Sequence, residues 1–302
     1  MTTRRTRRAG TLLALAAALP LALAACSSDE PADGEERGAS ADSPIRIGVV
    51  GAADPQWDIF TELAEEEGIY IQIGDFSEYT QPNPALADGD LELNQFQHLL
   101  YLAQHNADTG DDLTPIGATA VYPLGVYSTE FTDVESIPDG SEIAIPNDVT
   151  NQARALFVLE EAGLVTLNED AGVVPDPTDV DEGASRVTVA PMDATQTVVA
   201  LDSVAASVVN NDFVADAGLT PADAIFEDSA ESEGARPYIN VFAAPADQAD
   251  NETYARLVEI FHEQEVVDAL QEASGGTASI ADQDPAELQE ILAEVEASLA
   301  EG

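Results

Sequence analysis

The amino-acid sequence predicts an α/β protein whose strands form two separate sheets. Short apolar stretches with the character of strands alternate with longer amphipathic stretches along most of the chain, which is the pattern of α/β layers. The alternation comes in two series, the second of which begins near residue 142. About 260 residues follow the N-terminal region, and that length permits one large domain or two lobes of moderate size.

The first series opens with a strand, a helix and a second strand. Ile45–Val50 alternates and then becomes continuously apolar, as a buried strand does. Asp54 and Pro55 provide an N-cap and a proline at the first helical position, and the helix that they begin ends near Gly68. The next strand covers residues 69–73. Further predicted elements are a helix at 82–88, a strand at 91–94, a helix at 96–106, and strands at 114–120 and 126–128.

The second series predicts a sheet of its own. Its predicted elements are a strand at 142–145, a helix at 149–162, and strands at 187–190 and 203–209. A further strand at 238–243 and two amphipathic helices at 254–273 and 285–300 follow.

The N-terminal segment has the features of a signal peptide. Four arginines within the first eight residues precede an apolar run at 11–25, which is too short to span a hydrocarbon core. The run ends in a lipobox, Leu23-Ala24-Ala25-Cys26. We therefore expect residues 1–25 to be removed and Cys26 to carry acyl chains such as palmitate. This lipid would anchor the protein at the extracytoplasmic face of the cell membrane.

The mature chain is strongly acidic. Residues 27–43 are mostly small or acidic and include no aromatic residue, so we predict a lipidated N-terminus and disordered tether over 26–43. Without the four signal arginines, six basic residues oppose 58 acidic ones, which gives a net charge of −52. A charge of this sign argues against a nucleic-acid partner. The acidic residues are scattered, which indicates a solvated surface suited to salty surroundings.

The sequence contains few patterns that indicate an enzyme. It has no metal-protease helix motif, no phosphate-binding glycine loop and no Gly-x-Ser-x-Gly nucleophile motif. His98 and His105 lie seven residues apart on one predicted helix, which is too far for metal ligands on adjacent turns. We therefore expect no catalytic residue, no metal and no cofactor. A secreted α/β hydrolase is the alternative from another class of protein.

Polar and aromatic residues cluster where predicted strands end, which is where open α/β sheets bind ligands. The clusters cover residues 76–83, 94–98 and 145–156. In the third cluster, Arg154 lies one turn into a helix that follows a strand. Its guanidinium and the N–H groups of the helix N-terminus can therefore donate hydrogen bonds at the same place. That arrangement suits a carboxylate ligand. The alternative is a surface ion pair between Arg154 and Glu160 or Glu161.

Four stretches of the sequence carry a resemblance to a known family. The longer two are FSEYTQPNPALADGDLELNQFQH at 76–98 and AIPNDVTNQARALFVLEEAGL at 144–164. The shorter two are YPLGVYS at 122–128 and VVNNDFVADAGL at 208–219. The four stretches match the NlpA/MetQ-type lipoprotein family in the same order along the chain, so the sequence resembles that family.

The resemblance implies a two-lobed type II periplasmic-binding-protein fold, in which hinge crossover strands join the lobes and the lobes close on a ligand. Lobe one would comprise residues 44–124 and 236–302, and lobe two would comprise residues 125–235. The implied function is the capture of methionine and its delivery to the permease and ATPase of an ABC importer.

The family's pocket residues match this sequence at seven positions. The matching positions are Tyr79, Phe96, His98, Asn147, Asn151, Arg154 and Asn210. The resemblance implies that Arg154 binds the ligand carboxylate and that Asn210 binds the amino-acid head group. It also implies that the three residues of lobe one surround the thioether, where sulfur–aromatic contacts contribute about 0.3–1.5 kcal/mol.

The sequence departs from the family pattern at several positions. Val149 stands where the family commonly has proline, and Ala120-Val121-Tyr122-Pro123 stands where it has His-Val-Glu-Pro. Residues 191–200 match the family only at Gln196 and a few neighbours. The match is therefore weaker for the side-chain pocket than for the head-group site. D-methionine and methionine-containing dipeptides remain alternative ligands.

Overall fold

The computed structural model describes residues 37–301, and the predicted signal peptide, Cys26 and the first part of the predicted tether lie outside these residues. The strands, in chain order, are β1 (Ile45–Val50), β2 (Ile71–Phe76), β3 (Leu93–His98), β4 (Leu113–Ala118), β5 (Ala120–Val121), β6 (Gly125–Tyr127), β7 (Glu142–Pro146), β8 (Thr188–Met192), β9 (Ala206–Val209), β10 (Phe226–Glu227), β11 (Asn240–Pro245) and β12 (Ser279–Ile280).

Helices alternate with these strands. They are α1 (Pro55–Glu66), α2 (Pro82–Ala87), α3 (Leu99–Thr109), α4 (Val149–Glu161), α5 (Ala194–Ala200), α6 (Asn211–Val214), α7 (Glu252–Phe261), α8 (Gln264–Ala273) and α9 (Pro285–Glu301). Within residues 37–301, no helix combines the length and the apolar character needed to cross a membrane.

The first sheet has the strand order β2-β1-β3-β11-β4. β1 pairs in parallel with β2 and β3, whereas β11 runs antiparallel to β3 and β4. Helices α1, α7 and α8 cover one face, where the rings of Phe60, Phe242 and Phe261 contact one another. Helices α2, α3 and α9 cover the other face. Cover on both faces explains why every residue of β3 is buried.

The second sheet has the strand order β10-β6-β9-β7-β8. β7 pairs in parallel with β8 and β9, and β6 runs antiparallel to β9 and β10. Leu156 and Leu159 of α4 pack with Ile143 and Ile145 of β7 in the core of this half. The two sheets confirm the predicted α/β class.

The chain crosses between the two sheets twice. It leaves the first sheet after Ala118, passes through β5, which pairs with β12 in a separate two-stranded sheet, and enters the second sheet at Gly125. It returns between Glu227 and Asn240. We propose lobe limits at 124/125 and 235/236, which fall within these two connecting segments.

The boundary between β3 and α3 differs from the sequence prediction. We predicted a helix from Phe96, but the strand continues to His98 and the helix begins at Leu99. Pairing with β11 extends as far as His98, whose partner is Asn240, and this long-range pairing keeps the backbone extended. Phe96 and His98 therefore lie in a strand.

The predicted helix at 254–273 is two helices, α7 and α8. Glu263, which precedes α8, has an extended backbone with φ −66° and ψ 145° and so interrupts the helix. His262 next to it is bonded through Nε2 to the carbonyl oxygen of Ala118 at 2.9 Å. The break therefore coincides with an attachment to the first sheet.

Residues 37–43, which we predicted as part of the tether, are ordered against the first half of the molecule. The backbone N–H of Tyr70 donates to the carbonyl oxygen of Gly38 at 2.9 Å. Arg37 forms an ion pair of 3.2 Å with Glu92. Composition did not reveal these contacts, because both partners lie far along the chain.

Candidate ligand-binding site

Three buried amide side chains join the end of β3 to α2. Nδ2 of Asn83 donates to Oε1 of Gln97 at 2.7 Å, and Nδ2 of Asn94 donates to Oδ1 of Asn83 at 2.9 Å. Gln97 donates in turn to both asparagines. Buried amides need such partners, because desolvation without a hydrogen bond is costly. The network holds the segment between β2 and α2, which carries Tyr79, against the end of β3.

Aromatic side chains form one wall of the site. The Tyr79 ring lies 6.0 Å from the Phe96 ring and 5.1 Å from the Phe213 ring, between centroids. Tyr101 contacts Tyr79 and Phe96 at 6.3 and 5.7 Å. Phe213 belongs to α6 on the side of the second sheet, whereas the other three belong to the first side. The cluster therefore bridges the two lobes.

His98 also bridges the lobes. Its Nδ1 accepts a hydrogen bond from the backbone N–H of Tyr101 at 3.1 Å, so the ring proton is on Nε2. Nε2 lies 3.4 Å from Oδ1 of Asn151 and donates to it. Burial, and then the positive charge of Arg154, lower the pKa of His98 to about 3. The imidazole is therefore neutral at physiological pH.

A chain of polar groups begins at the N-terminus of α4. Oδ1 of Asp148 caps the helix by accepting from the backbone N–H of Asn151 at 2.9 Å, and it accepts from Nδ2 of the same residue at 3.0 Å. Nδ2 of Asn210 donates to Oδ1 of Asn151 at 2.9 Å. Oδ1 of Asn210 is buried and has no partner among the described residues. Because an unpaired buried acceptor costs free energy, Asn210 is suited to accept a hydrogen bond from a ligand.

Arg154 is buried one turn after Asn151 on α4. Nε donates to Oδ2 of Asp228 at 2.8 Å, and Nη2 donates to Oδ1 of Asp228 at 3.1 Å and to the carbonyl oxygen of Tyr122 at 2.8 Å. The guanidinium carbon lies 4.3 Å from the centroid of the Tyr238 ring, in a cation–π contact. Among residues 37–301, no acceptor is bonded to Nη1 of Arg154.

The carboxylate partner of Arg154 is therefore Asp228, 74 residues away in sequence. The surface ion pair with Glu160 or Glu161, which we kept as the alternative, is not formed. Glu160 instead accepts from the backbone N–H of Leu167 at 3.0 Å.

A second bond crosses between the lobes at Tyr79, whose hydroxyl donates to Oδ2 of Asp212 at 2.7 Å. Asp212 lies in α6, directly after β9, and its Oδ1 accepts from Nδ2 of Asn211 at 2.7 Å. Burial raises the pKa of Asp212 to about 7, and the negative charge of Asp54 acts in the same direction. The site thus contains a carboxyl group that titrates near neutral pH.

These side chains enclose a cavity between the two sheets, which we call the interlobe cavity. Its lining residues are Tyr79, Phe96, Gln97, His98, Tyr101, Tyr122, Asn151, Arg154, Asn210, Asn211, Asp212 and Asn240. Six of the seven predicted site residues are among them. Asn147, which precedes the N-cap Asp148 of α4, is exposed and does not line the cavity.

The interlobe cavity has a volume of about 20 Å³, the space of roughly one water molecule. A second cavity of about 230 Å³, the outer cavity, adjoins it and extends to Trp57. The two share Phe96, Tyr122, Asn211, Asp212 and Asn240. Because an amino acid is much larger than one water molecule, its entry requires the lobes to separate.

Several of the lining residues were not predicted from the sequence. Asn211 and Asp212 follow β9 directly, so the rule that ligands bind at strand ends would have selected them. Tyr122 and Asn240 lie where the chain crosses between the sheets, and no local pattern marks them.

Within residues 37–301, no group of three or more His, Cys, Asp or Glu side chains is placed to hold a metal ion.

Two α/β lobes, two connecting segments and a buried polar cavity between the lobes define a bilobal ligand-binding protein. The NlpA lipoprotein family matches residues 45–281. The D-methionine-binding lipoprotein MetQ of Salmonella typhimurium is 33% identical over 263 residues, which cover 85% of this chain and 92% of that protein. This chain therefore belongs to the NlpA lipoprotein family, as the motifs predicted.

Solved structures agree with this assignment. The crystal structure of protein PG110 from Staphylococcus aureus superposes with a TM-score of 0.80 at 37% identity, over 83% of this chain and 99% of that one. The substrate-binding protein of a methionine transporter from Streptococcus pneumoniae superposes with a TM-score of 0.73 at 33% identity, over 79% and 95% of the two chains. The predicted two-lobed binding-protein fold is confirmed.

Proposed function

We propose that this chain captures methionine outside the cell membrane and delivers it to the permease and ATPase of an ABC importer. The observation that supports this best is the composition of the interlobe cavity, where a guanidinium, an unpaired amide oxygen and aromatic rings meet. An α-amino acid with a soft apolar side chain complements all three. The names of the Salmonella and Streptococcus relatives, which refer to methionine, support the same ligand.

The ligand carboxylate binds at Arg154. Asp228 and Tyr122 occupy Nε and Nη2, and Nη1 remains available on the guanidinium. A carboxylate there gains a charge-assisted hydrogen bond in a site shielded from water. The bonds to Asp228 and Tyr122 hold the guanidinium in place, so the ligand meets a pre-ordered group.

The thioether of the ligand packs against the aromatic wall. Tyr79 and Phe96 are 9% and 6% exposed, and their rings provide the polarizable surface that a sulfur atom prefers.

His98 has a positioning role, because both of its ring nitrogens form hydrogen bonds, one with Tyr101 and one with Asn151. His98 therefore orients the amide of Asn151 at the head-group end of the cavity.

Capture follows from closure of the lobes. The bonds from Tyr79 to Asp212 and from His98 to Asn151 cross between the lobes next to the cavity. A ligand that contacts both sides favours the closed form, and the closed form is what the permease accepts. Acyl chains on Cys26 would keep the protein at the membrane surface beside the permease.

The chain is a binding protein and not an enzyme, because its family consists of substrate-binding proteins of importers. The hydrolase alternative has no support. Among ligands, D-methionine and methionine-containing dipeptides remain candidates beside L-methionine.

A thermal-shift screen tests the proposal. We expect L- or D-methionine to raise the melting temperature more than any other amino acid, because a ligand that binds only the folded state stabilises it by RT ln(1 + [L]/Kd), about 2.7 kcal/mol at 100 times Kd. A methionine dipeptide that gives the larger shift would reassign the ligand. If no methionine compound shifts the melting temperature at millimolar concentration, the proposed function is wrong.

A further inference from the structure

The interlobe cavity carries one positive and one acidic side chain. Of the described residues that line it, Arg154 is the only cation, since the imidazole of His98 is neutral. Asp212 is the only carboxyl residue among them. Arg154 lies in α4 and Asp212 lies in α6. These helices follow β7 and β9, which are neighbouring strands of the second sheet. A cavity with one group of each sign complements a zwitterion.

We propose that the carboxylate of Asp212, together with Oδ1 of Asn210, binds the α-ammonium group of the ligand while Arg154 binds its carboxylate. The inference rests on the proposed function and extends it, because it adds a residue that selects for a free amino group. Asp212 was not among the residues implied by the family resemblance.

Hydrogen bonding leaves Asp212 capacity for a ligand. An ionised carboxyl group has about four acceptor positions. Within the described residues, Tyr79 uses one on Oδ2 and Asn211 uses one on Oδ1, and no arginine pairs with the group. The remaining positions suit an ammonium group, which carries three donors.

The unpaired amide oxygen of Asn210 points to the same ligand group. Asn210 is only 7% exposed, and its Nδ2 is held by Asn151, which fixes the amide so that Oδ1 is the free end. Asn210 and Asp212 stand two residues apart at the end of β9. One donor group placed between them satisfies a buried acceptor and neutralises a half-buried carboxylate at once.

Charged and titratable groups around Asp212 determine how binding depends on pH. Burial and Asp54 favour the protonated form, whereas the hydroxyl of Tyr79 and the amide of Asn211 favour the ionised form. The remaining titratable or charged groups that line the two cavities are Tyr101, Tyr122, Tyr127, Glu227, Glu272, His98 and Arg154. A bound ammonium favours the ionised carboxylate, so ligand binding releases a proton wherever Asp212 is protonated beforehand.

The test compares Asp212→Asn with Asp216→Asn, an exposed acid four residues further on that lines neither cavity. Calorimetry at pH 8 uses L-methionine and its analogue without the amino group, 4-(methylsulfanyl)butanoate. We expect Asp212→Asn to weaken methionine binding by about 30-fold or more and to leave the analogue within about threefold of wild type. Asp216→Asn should match wild type for both ligands.

A pH series supplies the second readout. In wild type, the affinity for methionine should fall as the pH is lowered from 8 to 5, approaching about tenfold per pH unit below the pKa of Asp212, and in Asp212→Asn it should be flat. If Asp212→Asn binds methionine within about threefold of wild type, or weakens both ligands equally, the inference is wrong. If wild type itself does not bind methionine, the proposed function fails and the inference fails with it.

Discussion

The guanidinium of Arg154 and the carboxylate of Asp228 form a bidentate ion pair, with Nε 2.8 Å from Oδ2 and Nη2 3.1 Å from Oδ1. Asp228 lies in the segment that returns the chain to the first sheet, and its Oδ1 also accepts from the backbone N–H of Leu124 at 2.8 Å. Nη2 of Arg154 reaches Tyr122 in the other connecting segment. Arg154 therefore bonds to both connections between the lobes, so the ligand carboxylate that we propose on Nη1 would be linked directly to the hinge.

Arg154→Ala should nearly abolish methionine binding. The ligand carboxylate loses its partner and Asp228 is left without its cation, and truncating one member of a buried charge pair costs about 2–5 kcal/mol, or about 30-fold or more in affinity. Calorimetry measures the loss, and circular dichroism checks that the variant is folded. Arg186→Ala, which removes a more exposed arginine from the same lobe, is the control. Binding by Arg154→Ala within about threefold of wild type would contradict the carboxylate assignment.

The aromatic wall should discriminate sulfur from methylene. Norleucine keeps the length of methionine and loses only the sulfur, so wild type should prefer methionine by about 1 kcal/mol, or about fivefold. Phe96→Leu removes one ring from the wall while it keeps an apolar side chain, and the preference should shrink. Competition calorimetry with both ligands gives the ratio. An unchanged ratio in Phe96→Leu would place the sulfur elsewhere.

His98 should make the protein less stable as the pH falls. Its folded-state pKa is about 3, below the value of about 6.5 in an unfolded chain, so only the unfolded chain takes up the proton between these values. Stability from this group is full above pH 6.5 and declines by up to about 1.4 kcal/mol per unit below it. In urea unfolding, the free energy of unfolding of wild type should therefore fall towards that of His98→Gln as the pH is lowered from 8 to 5. A constant difference would mean that the imidazole titrates normally.

Added salt should stabilise the protein. Each of the six arginines in residues 37–301 pairs with an acidic residue, and most of the acidic side chains in the same residues have no arginine partner. Sodium chloride screens their mutual repulsion over a Debye length of about 10 Å at 0.1 M. The melting temperature should therefore rise between low and moderate salt. A flat or falling curve in differential scanning calorimetry would show that repulsion is negligible.

Cys26→Ser should release the protein from the membrane without changing ligand binding. The cysteine is the proposed attachment point of the lipid, and no helix of residues 37–301 is able to span a bilayer. Cell fractionation and methionine binding by the released protein are the two measurements. A variant that stays in the membrane fraction would require a second anchor.

Local signals predicted much of the site. Strand β7 and helix α4 were predicted at 142–145 and 149–162 and lie at Glu142–Pro146 and Val149–Glu161, because the N-cap Asp148 and the apolar spacing act within one or two turns. The strand-end rule and the family resemblance together selected six residues that line the cavity. The prediction failed at Phe96, where the helical spacing of apolar residues continued into a strand that pairs with β11.

The sequence by itself determined the class of the protein, the two series of elements and six of the residues that line the cavity. Tertiary structure alone decided which of them meet. Arg154 pairs with Asp228, 74 residues away, and not with the glutamates on its own helix, while Tyr79 reaches Asp212 across 133 residues. The physical reason is range: caps, turns and periodicity act over a few residues, whereas an ion pair or a shared cavity depends on which distant groups the packed lobes bring within about 4 Å.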